Sequence, residues 1–246
     1  MPRKIWYLAY GSNMSSEKFT GNRGIVPLDT ALVRIPGWTL TMEVPGLPYS
    51  EPSFSSIKPR EADCDDEATD PDVTGVAYLI TEDQYRQVIA SEGGGIAYSD
   101  ICLTGKILDE MTARVPRDIT VHTLGTAMKR RPSPLPSQRY MDLLITGGKE
   151  CHLPLEYQKY LSNIAVYEPS TSAWAKLGAL LFLTIWSPVM GNLEKITTRS
   201  IGKDGNAQWF IIWLVRGVMH IIWASHDFIF APVFGRGDGS DQELEE

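Results

Sequence analysis

The spacing of apolar residues changes period several times along the chain. Ile5 to Tyr10 is a short run of strand formers that breaks into Gly11-Ser12-Asn13, which predicts a buried strand and a sharp turn near the amino terminus. Thr30 to Met42 predicts a second extended run, interrupted at Pro36-Gly37. Val73–Ile80, Ser99–Leu108 and Ile119–Met128 are rich in branched residues and predict three further strands. Helical spacing first appears in "TEDQYRQVIASEGGG", where Thr81 is placed to cap, acids fill the first turn and glycines follow the last. It returns at 137–150 and 153–164, where Pro154 suits a first helical turn. Strands first and helices later predict an α+β fold, a small barrel or curled mixed sheet with helices flanking it.

Beyond residue 172 the texture changes. Two strongly apolar tracts, 174–190 and 208–223, are joined by a polar link, 191–207. Neither reads as a comfortable membrane span: the first meets Pro188 and carries Lys176, the second carries Arg216 near its centre, and a span needs about 20 apolar residues. Arg216, His220 and Asp227 form one polar stripe on an otherwise apolar helix. Such a helix must bury most of its circumference against the barrel, a second copy in a homodimer, or a membrane surface, and the pattern leaves the three open. The expected division is therefore a domain over 1–170, an apolar helical extension over 171–235 and an acidic flexible tail over 236–246. On that division a chain ending at Ser172 is expected to keep some of its chemistry and to lose membrane association or self-association.

Composition narrows the function classes. The 246 residues carry a net charge of -7 with scattered Lys and Arg, so nucleic acid is an unsuitable partner. Three widely spaced cysteines and no C-x-x-C argue against disulfides or zinc and for a reducing, cytoplasmic setting. His122 and His152 stand alone, and His220 and His226 lack a carboxylate at helical spacing, so no metal is expected. The amino-terminal apolar run is too short for a signal peptide. Segment 61–72 has seven acids and no base; without EF-hand spacing it reads as a solvated loop. The proline-rich stretch 129–140 has no P-x-x-P and reads as a stiff surface segment.

Two stretches carry candidate chemistry. A strand ending in Gly-Ser-Asn can offer backbone N–H groups to a carboxylate or a developing oxyanion, or can be a plain hairpin turn. Glu92 falls at the carboxyl end of a predicted helix, where the dipole disfavours negative charge; it is either a proton-exchanging group or a solvated helix end.

A family resemblance separates these readings. Tyr7-Leu8-Ala9-Tyr10-Gly11-Ser12-Asn13-Met14 resembles the Y-x-A-Y-G-S-N-L/M signature of the γ-glutamylcyclotransferase family. Glu92-Gly93 with Tyr98 is similar to that family's catalytic E-G segment, and residues 136–161 resemble its S-x-x-Y and G-x-K-E-x-x-L-P-x-x-Y patterns. The three motifs occur in order over residues 5–165; the apolar tail has no counterpart in the family core.

The resemblance implies a γ-glutamylcyclotransferase-like fold and a reaction without cofactor or metal. The substrate's own α-amine attacks its γ-carbonyl, closes a lactam, 5-oxoproline, and expels an amine, with no enzymic nucleophile. Glu92 would shuttle the proton, residues 7–13 would hold the γ-glutamyl head, Tyr140 would close over it, and Tyr98 would share the pocket. The tailed form looks like fungal proteins linked to sulfur-containing diketopiperazine toxins, which implies a glutathione-derived substrate. A non-catalytic γ-glutamyl binder and a membrane-associated scaffold are the alternatives, and neither would need Glu92.

Overall fold

The computed structural model describes residues 3–60, 70–108 and 118–241. Most of the acidic stretch, 61–69, and the last acids, 242–246, lie outside the described residues. The strands are β1 (Lys4–Ala9), β2 (Asp29–Ile35), β3 (Trp38–Leu47), β4 (Glu51–Pro59), β5 (Val73–Thr81), β6 (Tyr98–Ile107) and β7 (Asp118–Thr126). Five of them close a barrel in the order β1-β5-β2-β6-β7. The pairings are antiparallel except β1 with β7, which is parallel where Tyr7 meets His122. Leu8, Val33, Val73, Ile80 and Val121 are fully buried in its core, and each contributes about 1.5–3 kcal/mol.

The run broken at Pro36-Gly37 becomes β2 and β3, joined by a turn in which Gly37 takes φ 74°. β3 pairs with β4 in a separate two-stranded sheet. The periodicity did not reveal β4: its sequence, "EPSFSSIKP", is more than half serine and proline; Ser53, Ser55 and Ser56 are all buried, and the hydroxyls of Ser55 and Ser56 bond Tyr140 and the Thr126 N–H. Pro45 and Pro52 are accommodated because this small sheet is all edge.

Helix α1 (Glu82–Ser91) begins with a reciprocal capping box: Gln84 N–H donates to Thr81 Oγ1, and Thr81 N–H donates to Gln84 Oε1. Helix α2 (Gln138–Glu150) starts where Ser137 Oγ accepts the Tyr140 N–H, so the S-x-x-Y pattern is a helix cap that also places Tyr140 in the first turn. Its last residue, Glu150, accepts from the N–H and hydroxyl of Ser16 and ties the helix to the chain just after the Gly-Ser-Asn turn. Helix α3 (Leu155–Ser162) follows with Pro154 at its N-cap.

The extension departs from the sequence reading in three ways. Helix α4 (Ala173–Ser200) runs straight through Pro188 and absorbs half of the expected polar link, because the turns beyond the proline regain a buried side at Leu193 and Thr197. Helix α5 (Trp209–Ser225) continues through a π-helical turn, His226–Phe230, into α6 (Ala231–Phe234). Both stretches, 28 and 26 residues, are thus long and apolar enough to cross a membrane by length and composition, so the objection from length falls. Third, the extension and the barrel domain share one core: Phe182, Leu193, Ile211, Val215 and Trp223 pack with Tyr49, Ile96 and Met128. The polar stripe explains the orientation. Arg216 donates to the carbonyls of Gly95 and Ile96, Asp227 pairs with Arg130, and Trp223 Nε1 donates to Gly46 O. The opposite face, with Trp174, Leu177, Leu180 and Leu181 of α4 and Trp209, Trp213, Leu214 and Ile221 of α5, is exposed.

Residues 236–240, expected to be flexible, are packed. Gly237, Asp238 and Gly239 are buried, Tyr49 N–H donates to Gly237 O, and Leu135 N–H donates to Asp238 O. The strap packs on Leu135, and Pro134–Ser137 of the proline-rich stretch are buried, while Lys129, Arg131 and Pro132 stay at the surface as expected. The strap also brings Asp238 to His226, beside the adjacent Asp227, so this histidine gains carboxylates that helical spacing did not offer. Asp227 Oδ1 lies 3.0 Å from Nδ1, Gly237 N–H donates to Nε2, and Asp238 is close by. Arg130 and Arg236 already neutralise the two acids, so the cluster is an ion-pair latch.

Burial holds the pKa of His226 below its usual value. The unfolded chain therefore takes the proton first as pH falls below about 6.5, and stability that is complete above that pH is lost on acidification. Protonation of Nε2 also removes the acceptor for Gly237. The melting temperature is expected to fall between pH 7.5 and 5.5, with a slope of at most about 1.4 kcal/mol per pH unit from this group. His226→Gln should flatten that slope, and an unaltered profile would remove His226 from the account.

Candidate active site

The turn that ends β1 is a single 3-10 turn, Ser12–Met14. Its own bonding starts with Met14 N–H to Gly11 O, which leaves the Ser12 and Asn13 N–H groups ahead of the ladder. Gly11 is there for close approach: a Cβ on it would lie 2.6 Å from Ser55 Oγ. The plain-hairpin reading fails, because the chain beyond the turn enters helical segments and pairs with no strand.

At the far end of α1, Glu92 is the C-cap residue, and Gly93, Gly94 and Gly95 all take positive φ, which swings the chain back toward the barrel. Glu92 Oε1 accepts from Asn13 Nδ2 at 3.1 Å and from Arg23 Nη2. Asn13 joins the network on both sides, donating to Tyr7 Oη at 2.7 Å and accepting from Arg23 Nη1. Arg23 Nε donates to Ser91 Oγ at 2.6 Å. Glu92 Oε2 takes no protein partner among the described residues, and the side chain keeps 22% exposure. A cation rather than a bare helix end therefore faces this carboxylate. Arg23 escaped the sequence reading because "GNRG" carries no pattern, and only the fold brings it to α1.

Tyr7, Tyr10, Gly11, Ser12, Asn13, Glu92, Tyr98 and Tyr140 line one narrow polar recess together with Ser55 and Leu124. Eight of the ten residues expected at the site meet there. Leu8 and Ala9 do not: both are buried among core residues, on opposite faces of β1, and Leu8 bonds through its carbonyl, which accepts from Thr123 Oγ1. Ser55 is a second residue that the sequence did not disclose. Its N–H donates to Tyr140 Oη, its Oγ lies 2.7 Å from that oxygen, and its carbonyl accepts from Tyr98 Oη. Burial pushes the Tyr140 phenol up to about 12 and raises Tyr7, Tyr10 and Tyr98 as well, so the four hydroxyls remain neutral donors at physiological pH. Neutral donors around one carboxylate suit a zwitterionic head group.

This barrel and recess are those of a defined class, and the chain belongs to the γ-glutamyl cyclotransferase family. It is 40% identical over 249 residues, 96% of this chain and 91% of the relative, to "Gamma-glutamyl cyclotransferase aclK" of Aspergillus oryzae. It is 36% identical to "Gamma-glutamyl cyclotransferase gliK" of Aspergillus fumigatus, covering 98% of this chain and 92% of that protein. The protein of the same name from Claviceps purpurea is 38% identical, with 92% and 100% covered. Residues 172–233 match the AclK C-terminal domain profile. In fold, the chain resembles a solved γ-glutamyl cyclotransferase at TM-score 0.54 and 21% identity, over 69% of this chain and 92% of that one. A human protein of uncharacterised role gives TM-score 0.52 and 22% identity, over 69% and 94%.

Gly11→Val tests the turn. The added side chain must displace Ser55 and with it Tyr140, so kcat/KM is expected to fall on the order of 10²-fold, read as 5-oxoproline release with circular dichroism as the fold control. A large fall in melting temperature with kcat/KM intact would make the glycine purely structural.

Proposed function

We propose that this chain cleaves a glutathione-derived γ-glutamyl amide to 5-oxoproline and a free amine, with Glu92 as the proton shuttle. One observation carries the reading: Glu92 lines the recess with Oε1 held by Asn13 and Arg23, while Oε2 has no protein partner among the described residues. Bent in the recess, the γ-glutamyl head brings its α-nitrogen to its own γ-carbonyl carbon. Glu92 takes a proton from the α-ammonium, and the lone pair so freed forms the ring N–C bond. That proton passes to the departing nitrogen as the γ-amide C–N bond breaks; Glu92 then takes the second proton from the ring nitrogen and hands it to the freed amine, which leaves as an ammonium, so the lactam is neutral and the enzyme is unchanged at the end. The Ser12 and Asn13 N–H groups and the hydroxyls of Tyr7 and Tyr140 are the donors for the tetrahedral oxyanion; those of Tyr10 and Tyr98 are committed to the carbonyls of Leu124 and Ser55. Arg23 acts through Glu92 as a positioning residue. The setting we assign is fungal synthesis of sulfur-containing diketopiperazine toxins, in the cytoplasm. Incubation with glutathione, γ-glutamyl amino acids and glutathione adducts, each assayed for 5-oxoproline, tests the reading; release from none of them would overturn it.

The outward face of α4 and α5 supports a second contact, with a membrane surface or another copy of the chain, because it is rich in exposed apolar side chains and Arg216 of α5 is turned inward, with His220 alone of the polar stripe left exposed. Since α5 is fastened along its length to the barrel domain, such a helix would lie on a bilayer and not cross it. Flotation with liposomes and sedimentation velocity distinguish the two, and a monomer that ignores liposomes would exclude both.

A further inference from the structure

The polar recess opens into a larger chamber. The two share Ser12, Glu92, Tyr98 and Tyr140, and the chamber has a volume of about 370 Å³, within the usual range for small-molecule sites. Its walls are mostly apolar: Val44, Leu47 and Phe54 from the β3–β4 sheet, Met190 from α4, and Val215 and Met219 from α5. Half of these six come from the C-terminal extension. Methionines give such a wall room to adapt its shape to a ligand.

Three charged side chains besides Glu92 reach the chamber, and they are not equivalent. Arg139 is committed to Glu51, with Nε 2.6 Å from Oε1. Glu51 Oε2 is buried without a partner. Lys18, half-buried, has only the Ser12 hydroxyl, 3.2 Å from Nζ, and makes no ion pair among the described residues. Burial lowers its pKa, as expected of an ammonium withdrawn from water with no anion bound to it. Ser12, which Lys18 touches, lines both the recess and the chamber, so this cation stands at the junction, on the path by which the scissile amide's amine must leave.

We infer that the chamber is the leaving-amine site, that Lys18 binds a carboxylate on that amine, and that α4 and α5 form the wall for a bulky apolar substituent. Glu51 Oε2 accepts an N–H of the same group. The ligand class is a γ-glutamyl amide whose amine bears both a free carboxylate and a large apolar side chain. This assignment rests on the γ-glutamyl reading above for its geometry, but its test does not depend on turnover alone.

The full chain is assayed with S-benzylglutathione, with its C-terminal carboxamide, and with γ-glutamylalanine, and binding of the product fragment S-benzylcysteinylglycine is measured by calorimetry. The wild-type kcat/KM for S-benzylglutathione is expected to exceed that for γ-glutamylalanine by about tenfold or more. In Lys18→Met, the ratio of acid to carboxamide kcat/KM should fall about tenfold or more, through KM. In Val215→Trp and Met219→Trp, which fill the chamber, the ratio of benzyl to alanyl substrate should fall by a similar factor. An acid-to-carboxamide ratio unmoved in Lys18→Met, or chamber-filling variants that slow both substrates in proportion, would overturn the assignment. If no substrate turns over but the fragment binds in a Lys18-dependent way, the site stands and the reaction reading fails. Absence of fragment binding overturns the site.

Discussion

Glu92→Gln is expected to lower the rate of 5-oxoproline release by about 10²-fold or more while the protein remains folded, as general acid–base groups contribute about 10²–10⁴-fold. The amide keeps the size of the carboxylate and can still accept from Asn13, but it cannot carry a proton from the α-ammonium to the leaving nitrogen. Its ion pair with Arg23 is also lost; both side chains are largely buried, so a modest drop in melting temperature accompanies the change. Single-turnover measurement of 5-oxoproline separates the two effects, because only the chemical step should slow. A rate equal to the wild type would dismiss Glu92 as the shuttle and leave the recess a binding site.

A chain ending at Ser172 is expected to be almost inactive, with kcat/KM at or below about 1% of the intact protein. This reverses the expectation drawn from the apolar pattern alone. Removal of the extension bares Tyr49, Ile96 and Met128, frees the carbonyls of Gly95 and Ile96 from Arg216, and deletes Met190, Val215 and Met219 from the chamber. The Gly93–Gly95 segment that sets the exit from Glu92 loses its outer support: Ala207 N–H donates to Gly94 O in the intact chain. Soluble yield, melting temperature and 5-oxoproline release from the truncated chain are the measurements. A folded fragment with full activity would show that the extension is a separate module after all.

The difference between these two expectations marks what the sequence could express. Residues bound to the site by a local rule were legible. Ser137 and Tyr140 are three apart because one caps the helix on the other's N–H. Thr81 and Gln84 close a capping box that fixes where α1 starts and hence where Glu92 ends it. Leu8 and Ala9 were carried along by a motif, but packing buries both among core residues, on opposite faces of β1 and away from the recess. Arg23 and Ser55 were invisible, because each reaches the recess through contacts between distant segments, 69 and 85 positions from their partners Glu92 and Tyr140. β4 was hidden by its own serines, which resemble loop residues until their partners are known. For the extension, periodicity supplied a face to bury and the stripe of Arg216 and Asp227; what they bond to lies in Gly95, Ile96 and Arg130, which no spacing within the helix encodes.

The strap of residues 236–240 closes on Tyr49 from far along the chain; just before it, Gly235 O accepts from the Tyr49 hydroxyl, 186 positions away. A ribosome delivers the barrel strands before this segment, and chains emerge at about 5–20 residues per second. The nascent barrel must therefore wait, with the patch around Tyr49, Ile96 and Met128 uncovered, until α4, α5 and the strap have been made. Premature termination or clipping near the carboxyl end would leave a protein that has all of its catalytic side chains and yet remains unfinished.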